Sequence, residues 1–298
     1  MSIWIDNYKE RISYNATAKV LAHYGRTECM IITDENLNSL YGKSLFNDQN
    51  LYVIPSGEKN KTFNQVNAIL EYMLTLHLPR NITVIGFGGG VVCDIAGFVS
   101  AIYKRGVPLH LLPTSLLAMV DAAVGGKNGV NSKELKNQFG SIKQPSFINY
   151  DIKLLKTLPN DEFYNGIGEM LKHGLIYSQD YFDRCVEFFK KKTFEKLDYT
   201  ILEELVKESI DIKLHFVEED EADMGKRRVL NFGHTLGHII ERRGNHGHGV
   251  SVIWGMIKAI NYSLGLSLIT PKKSEYLLKS LNIFNIIEGA QLSWFEVE

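Results

Sequence analysis

Apolar and polar residues follow two different rhythms along this chain. In the first half, short apolar runs stand between turn formers: Cys29 to Thr33 (CMIIT), Leu51 to Ile54 (LYVI) and Asn81 to Phe87 (NITVIGF). Runs of this length bounded by polar residues, glycine and proline predict buried strands. Between them, Phe63 to Leu76 sets Val66, Ile69, Leu70, Met73 and Leu74 at helical spacing, and Val91 to Ser100 reads as an apolar helix. Such βα alternation predicts a parallel sheet with helices on its faces. From Asp151 the rhythm changes. Phe163 to Ile176, Tyr181 to Lys190, Ile201 to Val217, Val229 to Arg242 and Val250 to Leu264 all predict helices, with little strand signal between them. The shift after Gln144-Pro145 predicts an α/β domain over 1–150 and a mainly helical domain over 151–298.

The most informative stretch runs from Gly86 to Asn131. Glycine-rich turns alternate there with apolar runs and a few isolated charges: Asp94, Lys104, Arg105, Asp121 and Lys127. Glycine lets a backbone come close to a phosphate, and amides at a helix start bind anions. Gly86-Phe87-Gly88-Gly89-Gly90-Val91 keeps the order strand, glycine turn, helix. It lacks the last glycine of the strict dinucleotide fingerprint, so a tight turn between packed elements stays open beside a nucleotide loop.

Bulk properties narrow the field. The 298 residues carry a net charge of −1, which leaves no electrostatic case for nucleic acid or an anionic membrane. Cys29, Cys93 and Cys185 are scattered without C-x-x-C spacing and fit a reducing compartment. Neither a secretion signal nor a run of membrane-spanning length is evident. The expectation is a cytoplasmic protein acting on a small molecule.

Metal chemistry is the second theme. In NFGHTLGHIIE, His234 and His238 stand on one helical face, but Thr235 occupies the place of the glutamate base that a zinc peptidase needs. His246 and His248 follow in NHGHG, and Glu169 lies in the otherwise apolar NGIGEMLKHGLI. A carboxylate in such a setting must be paired or metal-bound. Catalytic zinc takes three ligands of these types and keeps one position open. Lys213, Arg227 and Arg228 upstream suit an anionic substrate.

With these residues in view, the chain resembles the 3-dehydroquinate synthases among the sugar phosphate cyclases, from about Thr33 to Met256. The resemblance implies a Rossmann-like NAD-binding α/β domain followed by a mainly α-helical metal and substrate domain, in a homodimer. It places NAD at Asp34, Asn36, Glu58, Lys61, Gly89, Gly90, Val91, Asp94, Thr114, Ser115, Asp121, Lys127, Lys136, Leu154 and Thr157. Zinc or cobalt falls to Glu169, His234 and His246. Substrate and catalytic positions fall on Arg105, Asp121, Lys127, Asn137, Lys172, Lys213, Arg227, Asn231 and His238.

The implied reaction turns 3-deoxy-D-arabino-heptulosonate 7-phosphate into 3-dehydroquinate and phosphate through transient oxidation, elimination, re-reduction and aldol closure. Lys127, Lys136, Asn137 and His238 would hold the phosphate, and Lys213 with Arg227 the carboxylate. The chain departs from the family pattern at Cys93, usually glycine, and at Asp223, usually glutamate. His248 and Gly249 stand where the H-G-E-A motif has glutamate and alanine, so His248 is the alternative third ligand. The family's C-terminal D-K-K-like lysine has no counterpart between Pro271 and Glu298. Other readings are a 2-deoxy-scyllo-inosose synthase-like cyclase, a metal- and NAD-dependent alcohol dehydrogenase, and a truncated inactive homologue.

Overall fold

The computed structural model describes residues 8–46, 49–133, 135–190, 196–243 and 246–282. It divides into two compact units, Met1–Leu158 and Pro159–Glu298. Ile283 to Glu298, in which no D-K-K-like lysine is expected, lies outside the described residues.

The first unit runs β1 (Ile12–Tyr14), α1 (Thr17–Ala22), β2 (Cys29–Asp34), α2 (Glu35–Leu45), β3 (Asn50–Ile54), α3 (Phe63–Thr75), β4 (Thr83–Gly88), α4 (Gly90–Ile102), β5 (Leu109–Pro113), β6 (Lys127–Val130), β7 (Phe139–Ile142) and β8 (Phe147–Tyr150). Six strands form one sheet in the order β1-β8-β5-β4-β2-β3, while β6 and β7 make a separate hairpin. Every pair in the large sheet is parallel. Parallel strands covered on both faces need continuous apolar runs, and Cys29, Met30, Ile31 and Ile32 are fully buried for that reason.

Strand order places the functional end. β2 leads outward to β3, and the chain then returns across β2 to form β4. The crevice outside the carboxyl ends of β2 and β4 is therefore a topological switch point, where open α/β sheets bind ligands. Asp34 ends one of these strands and Gly88 the other.

Three strands of the large sheet, β1, β5 and β8, have too short an apolar signature to stand out in the sequence. The division between units also falls later than residue 150. The turn Ile152–Thr157 belongs to the sheet: Leu154 packs in the core with Leu21, Cys29, Ile31, Ile85, Phe87 and Leu112, and Thr157 Oγ1 lies 2.8 Å from the Tyr41 hydroxyl.

The second unit is helical: α5 (Asn160–Tyr177), α6 (Gln179–Phe189), α7 (Tyr199–Glu219), α8 (His234–Arg243), α9 (His248–Gly265) and α10 (Pro271–Leu281). The helix predicted over Val229 to Arg242 is broken. Lys226–Asn231 forms a tighter turn, and Gly233 takes φ +81 before α8 begins. A side chain at Gly233 would meet Met256 Cγ at 2.7 Å, so the break also lets α9 come close. α10 was not anticipated. Its start is marked by Thr270, which caps Lys273 N at 3.2 Å, and by Pro271 in the first turn.

α5 and α9 meet through glycine. A Cβ on Gly168 would stand 2.4 Å from Gly249 O, and one on Gly249 would stand 2.2 Å from Asn165 O. Val252, Ile253 and Met256 bury the same helix, each side chain stabilising by about 1.5–3 kcal/mol. Among the described residues, no helix is long and apolar enough to cross a membrane.

Candidate active site

In the first unit the site is built from backbone. Gly89 caps α4 without a side-chain bond, which leaves the first amides of that helix available to an anion. A Cβ at Gly88 would collide with Val92 at 2.4 Å, so glycine is required there for the turn to close. Thr114 and Ser115 follow β5 and are buried against the same turn, with Thr114 N donating to Gly88 O at 3.0 Å. Across the switch point, Asp34 accepts from Leu37 N (3.0 Å) at the start of α2, where Asn36 lies in the first turn, and from Ser56 Oγ (3.4 Å).

A polar circuit adjoins this turn. Lys61, buried at 5% exposure, pairs with Asp94 of α4 and donates to Asn137 Oδ1 at 2.6 Å. Burial lifts the Asp94 carboxyl to about 6, with Lys61 pulling it down and Glu58 and Asp121 pushing it up. Asn131 donates to Glu58 Oε1 at 2.8 Å and accepts from Asn137 N at 2.9 Å. Lys127 opens β6, and Lys136 with Asn137 lies in the hairpin loop. Asp121 sits in the wide turn Ala118–Ala122.

Three sequence-predicted positions fall elsewhere in this unit. The Leu154 side chain is buried in the core, and Thr157 is tied to Tyr41 beside it. Arg105 lies beyond the other end of α4, a helix about 20 Å long, and so away from the glycine turn. Arg105 (φ 67), Lys104 (φ 45) and Gly106 (φ 113) together make a left-handed reversal leading into β5.

In the second unit the site is built from side chains. Glu169, Lys172 and His173 share one face of α5, and all three are buried. Glu169 pairs with Lys172, and its Oε1 lies 3.1 Å from His248 Nε2 and 3.5 Å from His234 Nε2. Burial alone would raise this carboxyl. Lys172, His248 and His234 outweigh it and hold the group well below the usual carboxylate range.

Glu169, His234 and His248 bring one ligand atom each to within 4.8 Å of one another, the spacing of a three-ligand metal site. In this group the third member is His248; among the described residues His246 joins no such group. The reason is local: Gly249 is pressed against Asn165 of α5, and this contact aims the first residue of α9 at Glu169. Behind His248, Glu241 Oε2 stands 3.6 Å from Nδ1. Burial would lower the His248 pKa, but the two carboxylates push it up to about 10. A cation bound at Nε2 would therefore displace a proton.

The remaining cations have defined supports. Lys213 of α7 and Arg227 are both buried. Arg227 Nη1 donates to Glu221 O at 2.9 Å. Asp220 organises the turn before it, accepting from Met224 N (2.9 Å), Gly225 N (2.6 Å) and Arg227 N (3.2 Å). Those main-chain bonds hold the Asp220 carboxyl below its ordinary value. Asp223 has φ +57 within that turn. Asn231 and His238 are exposed, with the His238 ring 5.3 Å from that of His234. Sequence reasoning missed Asn131, Asp220 and Glu241. Asn131 closes the Gly86 to Asn131 stretch and Glu241 closes NFGHTLGHIIE, three residues after His238, yet neither residue type there signals its role.

Comparison with known proteins decides the family. The 3-dehydroquinate synthase N-terminal model matches residues 51–165, and the C-terminal model matches residues 166–292. The chain belongs to the 3-dehydroquinate synthase family. The 3-dehydroquinate synthase of Alkaliphilus metalliredigens is 41% identical over 240 residues, 78% of this chain and 67% of that one. That of Dictyoglomus thermophilum is 38% identical over 268 residues, 87% and 74% of the two chains.

Among solved structures, a 2-epi-5-epi-valiolone synthase from Streptomyces hygroscopicus, with NAD+ and Zn2+ bound, matches with a TM-score of 0.83 at 24% identity, over 92% of this chain and 80% of that one. A 2-deoxy-scyllo-inosose synthase complexed with carbaglucose-6-phosphate, NAD+ and Co2+ matches with a TM-score of 0.80 at 24% identity, over 94% and 81%. At these identities the two structures establish the shared fold.

Proposed function

We propose that this chain is a 3-dehydroquinate synthase, converting 3-deoxy-D-arabino-heptulosonate 7-phosphate to 3-dehydroquinate and phosphate. The observation that carries the reading beyond family membership is the Glu169–His234–His248 group, a buried carboxylate met by two half-buried imidazoles. Its one carboxylate and two imidazoles suit zinc or cobalt. The first unit suits NAD: uncapped helix amides stand at the switch point, at a turn where a side chain on Gly88 would clash. When bound, NAD+ supplies a hydride acceptor that returns the hydride within one turnover, and the metal supplies a Lewis acid for a substrate hydroxyl.

The chain's own residues supply binding and charge. Glu169 is ionised and held between Lys172 and the two histidines, so it presents a fixed anion to a cation. Glu241 fixes the ring of His248 through Nδ1 and leaves Nε2 as the ligand atom. Buried Lys213 and Arg227 are placed to hold the substrate carboxylate, a group that a hexose 6-phosphate lacks. This favours the heptulosonate over the substrates of the other cyclases. The family likeness assigns phosphate binding to Lys127, Lys136 and Asn137 in the first unit and to His238 in the second. A soluble small-molecule enzyme of the cytoplasm, working as a homodimer, is the corresponding biological setting.

The test supplies the heptulosonate phosphate with zinc or cobalt and NAD+ in amounts below the substrate. Expected are equal yields of inorganic phosphate and 3-dehydroquinate with no net NADH. Net NADH would indicate a dehydrogenase instead. Phosphate release from glucose 6-phosphate, with none from the heptulosonate, would move the assignment to another cyclase.

A further inference from the structure

One side chain stands between the segment bearing Glu58 and Lys61 and the loop bearing Lys136 and Asn137. Asn131 directly follows β6, and its residue pairs with Thr62 in an isolated parallel bridge. Its main-chain N–H donates to Lys61 O at 2.8 Å. Its side-chain amide donates to Glu58 Oε1 at 2.8 Å, and its side-chain oxygen accepts from Asn137 N at 2.9 Å. The circuit closes because Lys61 Nζ reaches Asn137 Oδ1 at 2.6 Å.

Two features make this more than a tidy turn. Asn137 is left-handed at φ +54, a conformation that asparagine tolerates but that surrounding bonds must hold. Its N–H bond to Asn131 is one of those restraints. An amide is also the one side chain of this size with a donor for Glu58 and an acceptor for Asn137 at once. An aspartate would keep the acceptor and set a second carboxylate against Glu58. Asn131 therefore ties the two loops together beside the direct Lys61–Asn137 bond.

We infer that Asn131 is a positioning residue that links cofactor binding to phosphate binding. The inference rests on the reading above, in which Glu58 and Lys61 serve NAD and Lys136 and Asn137 hold phosphate. A ligand that orders either loop orders the other through Asn131, and linkage of this kind is reciprocal. A purely structural role would lower stability and both affinities without linking them.

The experiment is calorimetric titration of NAD+ into the whole chain, with and without saturating inorganic phosphate, alongside thermal melts by circular dichroism. For the unaltered protein, phosphate should tighten NAD+ about fivefold or more. Asn131→Ala breaks both side-chain bonds, and Asn131→Asp breaks only the bond to Glu58. Both variants should still bind NAD+, yet phosphate should change its Kd by less than about twofold. If alanine leaves the chain unfolded, the aspartate variant decides alone. A variant that keeps the full phosphate effect would overturn the inference. So would an unaltered protein that binds NAD+ indifferently to phosphate, and in that case the functional reading would survive. Failure of the unaltered protein to bind NAD+ at all would remove both.

Discussion

Each unit sets a carboxylate beside a lysine, half-buried in the first and fully buried in the second, and the two pairs behave in opposite ways. In the first unit, Asp94 faces Lys61, but that ammonium is shared with Asn137, and burial wins: the carboxyl rises to about 6. In the second, Glu169 faces Lys172 and two histidines, and the charges win: the carboxyl falls well below its ordinary range. The difference is one of purpose. Asp94 braces a loop around a turn whose binding groups are main-chain amides. In the proposed function Glu169 would itself be the binding group, ionised before any cation arrives.

The sharpest way to break this comparison is to remove a ligand from the second pair's surroundings. His248→Ala should lower zinc affinity by more than about 100-fold and abolish phosphate release, because it deletes a metal-facing nitrogen. His246→Ala should leave both nearly unchanged. Chelator competition with a colorimetric zinc dye measures the first effect directly. Equal losses in the two variants would mean that the Glu169–His234–His248 group is not the metal site.

Next in size is the contact that aims His248. Gly168→Ala would drive a methyl group into the Gly249 backbone at 2.4 Å, where no flexible side chain can yield. Overpacking of this kind costs about 1–3 kcal/mol, and here it also pushes α9 from α5, carrying His248 away from Glu169. A lowered melting temperature accompanied by weaker zinc binding is expected. A drop in stability with zinc affinity intact would show that His248 is positioned by something other than this glycine contact.

These two sites differ in how far the sequence revealed them. The strand, glycine turn and helix of the first unit were legible because backbone binding depends on consecutive residues: β4, Gly88 to Gly90 and α4 are one uninterrupted phrase. The short strands β1, β5 and β8 were hidden, since brief apolar segments resemble ordinary loop ends. In the second unit, Glu169 and His234 were readable as unusual residues in apolar helices. The choice between His246 and His248 was not, because it depends on where α9 begins and which residue faces α5. Asp220 was concealed among neighbouring acids, since its role comes from taking three main-chain N–H bonds. Arg105 was readable by motif, and the length of α4 sets it apart from the glycine turn.

A smaller effect is expected at Glu241. Its carboxylate stands behind the His248 ring, 3.6 Å from Nδ1, so Glu241→Gln should keep the fold and keep turnover with excess metal. Zinc affinity should fall about 10–100-fold, the usual consequence of losing the group that orients a ligating histidine. Titration of the metal-free protein with zinc, followed by activity at saturating zinc, separates the two. Unchanged affinity would reduce Glu241 to a neighbour of the site.

The mildest prediction returns to Asp94. Its folded pKa lies above the unfolded value, so the neutral form is the one favoured by the fold. Stability from this group is fully present below about 4 and is lost as pH rises through about 6. Asp94→Asn removes that dependence. Between pH 4 and 7 the wild type should therefore lose ground to the variant, by at most about 3 kcal/mol for a shift of this size. Lys61 limits the loss by favouring the ionised form, while Glu58 and Asp121 act against it. Urea unfolding of both proteins across this range supplies the measurement. Parallel curves would mean that Lys61 neutralises Asp94 fully, and the contrast with Glu169 would then disappear.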